Sequence, residues 1–214
     1  MHFEPIDLVR SSIIDIEVLF MIMISDCDLI RQLQQGNLEA LGVLYDRHRH
    51  LVYRTALAIT NDTEAAADIL QEVFLRLHRF AERVDSERPL EPWLYRVTTN
   101  LAYTWVRQQH RWFKPFEEMV EKFSNARKQT PPLLFDLDEE TQRVQKALAS
   151  LPAHQRVVVA LYYINDLPLQ EIAQVLGIPE GTVKSRLHYG REALKQSLRL
   201  EAGEVLPELQ YEFT

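Results

Sequence analysis

The chain has one cysteine, Cys27, so no internal disulfide can form; stability has to come from a packed core, as suits a reducing compartment. Cys27 lies at a helix start without ligand-type groups beside it and reads as an ordinary residue, neither metal ligand nor nucleophile. The chain also lacks the cationic excess of a protein that coats nucleic acid: its formal net charge is −7. Glycine is scarce, at six residues, and with ten prolines, 26% charged and 46% hydrophobic residues a fibrous or wholly disordered chain is excluded. The 214 residues are enough for one sizeable core or two small ones. No glycine-rich phosphate loop, zinc-spaced Cys/His set or nucleophile elbow is present, and His48 and His50 have no suitable spacing or partner for a metal. No catalytic residue, metal, cofactor or small-molecule substrate is therefore expected.

Long hydrophobic runs are missing too. Residues Ile13 to Ile24 are apolar apart from Asp15 and Glu17, but a membrane span needs about 20 residues. Neither a basic leader nor a small-residue cleavage site marks a signal peptide. Met21 and Met23 stand just before the first helical pattern. Translation is expected to start at one of them, leaving the residues before as a disordered tail or a mis-assigned start. The intact mass of the native protein tests this.

What is there is helical periodicity, with no alternating strand pattern and no internal repeat. Asp26 is placed to cap a short helix carrying Leu29, Ile30 and Leu33 that stops at Gly36. Asn37 caps a longer one with Leu41, Leu44, Tyr45, Leu51, Val52 and Ala56, ending near Thr60. Asp62 opens a third, with Ala66, Ile69, Leu70, Val73, Phe74 and Leu77 at three- and four-residue steps. A polar loop from about Glu82 to Pro92 follows, its two prolines blocking helix. A fourth helix, Trp93 to His110, sets Leu94, Val97, Leu101 and Trp105 along one side. Between Arg111 and Asp138, Pro115, Pro131 and Pro132 mark a flexible linker. Periodicity resumes at Val144, Leu148 and Leu151, breaks at Pro152, and returns through Val157, Val158, Leu161 and Tyr162. Two more helices run from Leu169 to Leu176 and from about Gly181 to Leu200. The expected fold is all-α: two small helical domains, residues 26–112 and 139–200, joined by a linker, 113–138, with tails at 1–25 and 201–214.

Charge is unevenly spread. Arg96, Arg107 and Arg111 fall in a stretch without acids, and Lys184, Arg186, Arg191, Lys195 and Arg199 face only Glu192. Acids gather at Glu117, Glu118 and Glu121 and from Asp136 to Glu140. Two local basic patches on an acidic background suit a protein that touches DNA locally after something else delivers it.

The most specific stretch runs from Leu167 to Leu187. Glu171, Ile172, Ala173 and Leu176 make a short helix, with Ala173 small enough for a close crossing. Gly177 supplies a left-handed turn, and Ile178 plugs the corner. Val183, Leu187 and Leu194 face back to the core. This is a helix-turn-helix, at about residues 169–188. At 100° per residue Lys184, Ser185, His188 and Arg191 share the outer side, with Arg186 at the flank. Such side chains reach phosphates and base edges. An amphipathic helix's polar side is ordinarily only solvated, but the tight turn and the shortage of acids favour DNA.

Leu151-Pro152 with Gln155-Arg156, then Glu171-Ile172-Ala173, then Gly181-Thr-Val-Lys-Ser-Arg-Leu187 resembles region 4 of the extracytoplasmic-function sigma factors. Where that family continues Arg-Ala-Arg, this chain has Tyr189-Gly190-Arg191. Asp62 to Phe74 is similar to the family's region 2.2, and Trp93-Leu-Tyr-Arg-Val97 with Asn100, Tyr103 and Arg107 to its regions 2.3 and 2.4. The matches span about Asp26 to Leu200. The resemblance implies an alternative sigma factor that docks on the β′ clamp and β flap of core RNA polymerase and reads promoter DNA. It implies that Asp68, Gln71 and Glu72, within a docking motif at about 68–81, hold the polymerase. It implies that Arg96, Asn100, Tyr103 and Arg107 serve the −10 element, with a base pocket formed by the Glu82–Pro92 loop and Asn100. Trp93 reads rather as core than as a stacking platform, and Tyr103 fits either. For the −35 element it implies Thr182, Lys184, Ser185, Arg186, His188 and Arg191. An anti-sigma partner, often membrane-bound in the family, and a cytoplasmic location at the nucleoid or held to the membrane are further implications.

Two other readings compete. A free-standing helix-turn-helix regulator, dimeric on a palindrome, explains the C-terminal module but leaves Asp62–Arg107 without a purpose; promoter binding without polymerase would favour it. An enzyme would show turnover by the isolated chain.

Overall fold

The structure, a computed structural model, describes residues 24–113 and 139–202. The expected N-terminal tail, linker and C-terminal tail lie almost wholly outside these residues. Among the described residues there are eight α-helices and no strand: α1 Asp26–Gln34, α2 Leu38–Thr60, α3 Thr63–Arg79, α4 Glu91–Phe113, α5 Glu139–Ala149, α6 Ala153–Tyr163, α7 Leu169–Leu176 and α8 Glu180–Ala202. The all-α expectation holds.

Three helix starts follow from capping chemistry. Asn37 Oδ1 accepts from the Glu39 amide at 2.9 Å, and Asp62 Oδ1 from the Ala65 amide at 2.8 Å, which satisfies donors that have no intrahelical partner. At α1 the cap is Ser25, not Asp26: its Oγ accepts from the Asp28 amide and donates to the Asp28 carboxylate. The pair is half of a capping box: the Ser25 side chain caps the Asp28 amide, but the Asp28 carboxylate takes the Ser25 hydroxyl and not its backbone N–H. The Ser25 hydroxyl bond, with Arg31 assisting, holds the Asp28 carboxyl below its ordinary pKa. Released from capping, Asp26 binds Arg47 Nη1 at 2.7 Å and His48 Nε2 at 2.6 Å instead.

The loop before α4 is also more ordered than its polarity suggests. Ala81–Arg83 form a 3₁₀ turn, and Ala81, Val84 and Leu90 are buried. Gln34 Nε2 donates to the carbonyls of Ala81 and Val84, both at 3.0 Å. Pro92 does not stop α4 but lies in its first turn, where a missing N–H leaves no bond unmade.

The chain divides into two compact units. The first takes the described residues up to Arg49 with Phe74–Glu91; the second takes His50–Val73 and the described residues from Pro92 onward. Leu29, Ile30, Leu44, Leu77 and Leu90 are the fully buried side chains of the first, and Tyr45 meets Phe74 edge-on at 5.0 Å. The second buries Val52, Ile59, Leu94, Val158, Leu161 and Ile172, and in it α8 packs on α5, α6 and α7. The core side of α4 is Leu94, Tyr95, Thr98, Thr99, Ala102 and Val106, whereas Val97, Leu101 and Trp105 are only half-buried. Apolarity alone misplaced that stripe. Two threonines lie inward, and Thr99 makes this possible by donating to the Tyr95 carbonyl at 2.7 Å.

Gly190 has a packing role that its low helix propensity conceals. A Cβ there would lie 2.7 Å from Val159 Cγ2, so glycine lets α8 cross α6 closely. Ala is the better helix former by about 1 kcal/mol, yet the clash with a buried valine should outweigh it. Gly190→Ala is expected to destabilise by roughly 1–3 kcal/mol, as overpacked cores do, measured by urea unfolding. A midpoint that rises would show that α8 simply shifts outward.

Candidate nucleic-acid interface and docking face

The helix-turn-helix forms as its residues demand. Gly177 ends α7 with φ 65° and ψ 35°, and the amides of Gly177 and Ile178 both return to the Ala173 carbonyl. That left-handed corner turns the chain into α8. Val183 and Leu187 are buried behind α8 and fix its rotation. Lys184, Ser185, His188 and Tyr189 are consequently exposed, while Thr182, Arg186 and Arg191 are half-buried at the flanks. Lys184 pairs with Glu180 at 3.1 Å and Ser185 Oγ donates to the Thr182 carbonyl at 3.0 Å. An exposed pair of this kind contributes little and yields readily to a phosphate. Tyr189 is 62% exposed and meets His188 edge-on at 5.4 Å. It was missed as a candidate because it stands where the family pattern has arginine.

On α4, Arg96, Asn100 and Arg107 are exposed and Tyr103 is half-buried. They follow one another at steps of three and four, so they share a side, and the Arg107 guanidinium lies 5.8 Å from the Tyr103 ring centre. Trp93 is half-buried. Arg96 is already engaged: its Nη2 donates to the Gln174 carbonyl at 2.7 Å and its Nε to the Val175 carbonyl at 3.3 Å. On α3, Asp68 and Gln71 are exposed and Glu72 half-buried, with Ile69, Leu70 and Val73 buried on the opposite side. Leu75, one turn further on that side, is 56% exposed. Leu75 falls outside the three- and four-residue rhythm of the apolar positions on α3.

These observations meet the comparisons with known proteins. Residues 44–112 match the family Sigma-70 region 2, and residues 141–194 match Sigma-70, region 4. The chain is 31% identical over 181 residues to the ECF RNA polymerase sigma factor SigW of Bacillus subtilis, across 79% of this chain and 95% of that protein. It is 34% identical over 162 residues to the ECF sigma factor SigL of Mycobacterium tuberculosis, across 74% of this chain and 89% of that one. The chain belongs to the extracytoplasmic-function sigma factors. In fold it is similar to CnrH, solved in complex with the cytosolic domain of CnrY, with a TM-score of 0.61 and 24% identity, across 83% of this chain and 99% of that one. It is also similar to the sigma factor RpoE of Bartonella quintana, solved with the anti-sigma factor NepR, with a TM-score of 0.53 and 20% identity, across 78% and 97%. This sigma factor is thus a transcription initiation factor that binds core RNA polymerase and directs it to promoter DNA.

Two polar centres in the sigma factor, one buried and one half-buried, were not foreseen. Arg156, in α6, is 5% exposed and is held by backbone carbonyls. Its Nη1 donates to the Ile59 carbonyl at 2.8 Å and its Nη2 to the carbonyls of Ala149 and Leu151, so it closes the C-terminal ends of α2 and α5. Burial lowers its pKa below the ordinary arginine value, but arginine stays charged, and helix C-termini are favourable places for a cation. The second centre is Asp26, His48 and Glu91, whose ligand-type atoms lie within 4.8 Å of one another. His48 therefore does have a partner, contrary to its isolated look in the sequence. With Asp26 shared between Arg47 and His48, the cluster already holds a cationic guanidinium where a metal would need open carboxylate oxygen. Among the described residues no helix is long and apolar enough to cross a membrane.

Proposed function

We propose that this sigma factor reads two promoter elements with two separate surfaces and is brought to them by a third. Residues 26–112 act as region 2 and residues 139–200 as region 4. Asp68, Gln71 and Glu72, with Leu75 beside them, dock on the β′ clamp. Region 4 docks on the β flap. Asn100, Tyr103, Arg107 and Arg96 take up the opened −10 element. Bases freed from the stack need aromatic and cationic side chains to lie on, worth about 1–3 kcal/mol per base. Thr182, Lys184, Ser185, Arg186, His188 and Arg191 enter the major groove at the −35 element. The observation that carries this reading is the outer side of α8, polar and exposed over Lys184, Ser185 and His188 and backed by buried Val183 and Leu187.

With a net charge of −7, the free protein meets DNA weakly, since phosphate binding scales with the cations presented. Polymerase docking places both patches at once, and binding at one element then raises the effective concentration at the other. The protein performs no chemistry of its own. It works in the cytoplasm, at the nucleoid within holoenzyme. An anti-sigma partner is part of this reading, because CnrH and the Bartonella RpoE were each solved with a protein partner of that kind or with CnrY.

In vitro transcription with core polymerase on a genomic library tests it. Asn100→Ala is expected to slow promoter opening by about tenfold, within the range of one lost base contact. Lys184→Ala should weaken upstream recognition at every promoter and flatten the salt dependence by about one counterion. Variants that match wild type at all promoters would refute these assignments.

A further inference from the structure

The outer side of α8 divides its chemistry by direction. Between Gly181 and Arg191 the buried positions are Val183, Leu187 and Gly190, so the direction opposite them points away from the core. At about 100° per residue, Ser185, His188, Tyr189 and Glu192 all lie within roughly 60° of that outward direction. Lys184, Arg186 and Arg191 stand roughly 90–110° from it, on the two sides. Exposure agrees: the first four are exposed, whereas Arg186 and Arg191 are half-buried, and Lys184 leans back to Glu180. The strip that faces straight out therefore carries no lysine or arginine. The cations flank it, where the two phosphate backbones of a groove would run.

Tyr189 is the largest side chain on that strip and is 62% exposed. Two contacts set its position. Gly190 lets α8 cross α6 closely, since a Cβ there would lie 2.7 Å from Val159 Cγ2, and this fixes the rotation of α8 beside Tyr189. The His188 ring packs edge-on against the tyrosine ring, with centres 5.4 Å apart and 67° between the planes. The fold thus holds an aromatic ring outward in water, where it gains by covering an apolar group.

We infer that Tyr189 is a specificity-determining residue of this sigma factor, and that it selects a thymine in the upstream element by packing on the C5 methyl group. This rests on, and deepens, the proposed role of α8 at the −35 element. Thymine is the base that shows a methyl group in the major groove, and apolar side chains read it by contact. Tyrosine has one hydroxyl, so it cannot form the paired bonds by which arginine reads guanine O6 and N7. Arginine stands at this place in the family pattern, and its replacement by tyrosine moves the preference at one base pair. The ring brings no charge, so the contact carries sequence information without adding to phosphate binding. Glu192 on the same strip keeps a phosphate away from it, like charges being unfavourable neighbours.

The test uses holoenzyme made from the full chain and core polymerase, with a promoter from the genomic library whose upstream element is randomised. Bound fragments are sequenced for wild type, Tyr189→Ala, Tyr189→Phe and Tyr189→Arg, and circular dichroism checks that all four are equally helical. Wild type should select thymine at one base pair by about tenfold, the usual worth of one specified position. Tyr189→Ala should lose that preference and keep the others. Tyr189→Phe should restore it, because the methyl contact needs the ring and not the hydroxyl. Tyr189→Arg should select guanine there and steepen the salt dependence by about one counterion. Deoxyuridine in place of the selected thymine removes only the methyl group. Wild type and Tyr189→Phe should then bind about fourfold more weakly, the effect of one buried carbon, and Tyr189→Ala should not change. The inference is overturned if wild type selects no thymine that Tyr189→Ala ignores, or if uracil weakens wild type and Tyr189→Ala equally. A preference lost in Tyr189→Phe overturns it too, since the hydroxyl would then be the reader. Failure of the function reading looks different: no form, wild type included, selects any upstream base.

Discussion

Asp68→Ala, Gln71→Ala and Glu72→Ala combined in one chain are expected to abolish co-elution with core polymerase and to reduce promoter-directed transcription to background. All three side chains lie on the outer side of α3, away from buried Ile69, Leu70 and Val73. Alanine suits a helix better than aspartate or glutamine, so the helix itself should not suffer. A docking face commonly concentrates its affinity in a few side chains that each cost about 2 kcal/mol or more when truncated. Two such losses already amount to roughly a thousandfold in affinity. Leu75→Ala should add to the loss because the exposed leucine would be covered on docking. Unchanged helicity with lost co-elution is the expected pair of results. A triple variant that still co-elutes at wild-type strength would move the docking face elsewhere.

The second large effect concerns stability. Arg156→Met keeps the length and much of the volume of the side chain but removes donors to the carbonyls of Ile59, Ala149 and Leu151. Each buried acceptor left unmade costs about 1–3 kcal/mol, and bonds from a charged donor lie at the upper end. Methionine recovers part of this because an unpaired Nε and a desolvated charge vanish with the arginine. A net loss of roughly 3 kcal/mol is expected, which lowers the urea midpoint by about 1 M or more for a slope typical of this size. Arg156→Lys should recover little, since a single ammonium cannot span the three carbonyls. A midpoint within error of wild type would mean that water reaches those carbonyls.

Arg156 also illustrates where sequence reasoning stopped. In the sequence it stands beside Gln155 as part of a family wording, with nothing to say that it faces inward. Its burial depends on carbonyl groups at the ends of α2 and α5, and backbone acceptors leave no trace in side-chain patterning. The pairing of His48 was missed for a different reason: its partner Asp26 is 22 residues away and looked like a helix cap. Ser25 outcompeted it because a hydroxyl at that position both accepts from and donates to the first turn. On α4 the buried threonines defeated the apolar stripe: Thr99 bonds its hydroxyl to the preceding turn and so is buried as readily as a methyl group, while Thr98 Oγ1 is buried without a partner among the described residues.

The helices, their caps at Asn37 and Asp62, the left-handed corner at Gly177 and the outward Lys184, Ser185 and His188 of α8 were legible beforehand, whereas Arg191, expected beside them, is half-buried at the flank. They depend on local rules: periodicity, side-chain acceptors near free amides, and the freedom of glycine at positive φ. The sequence by itself therefore determined an all-helical sigma factor and most of its candidate contact residues. Only the tertiary structure decided that Gly190 is a crossing point, that Arg156 closes two helix ends and that Arg96 is occupied. Each of these depends on what a distant segment brings within bonding distance, and a linear pattern holds no information on that proximity.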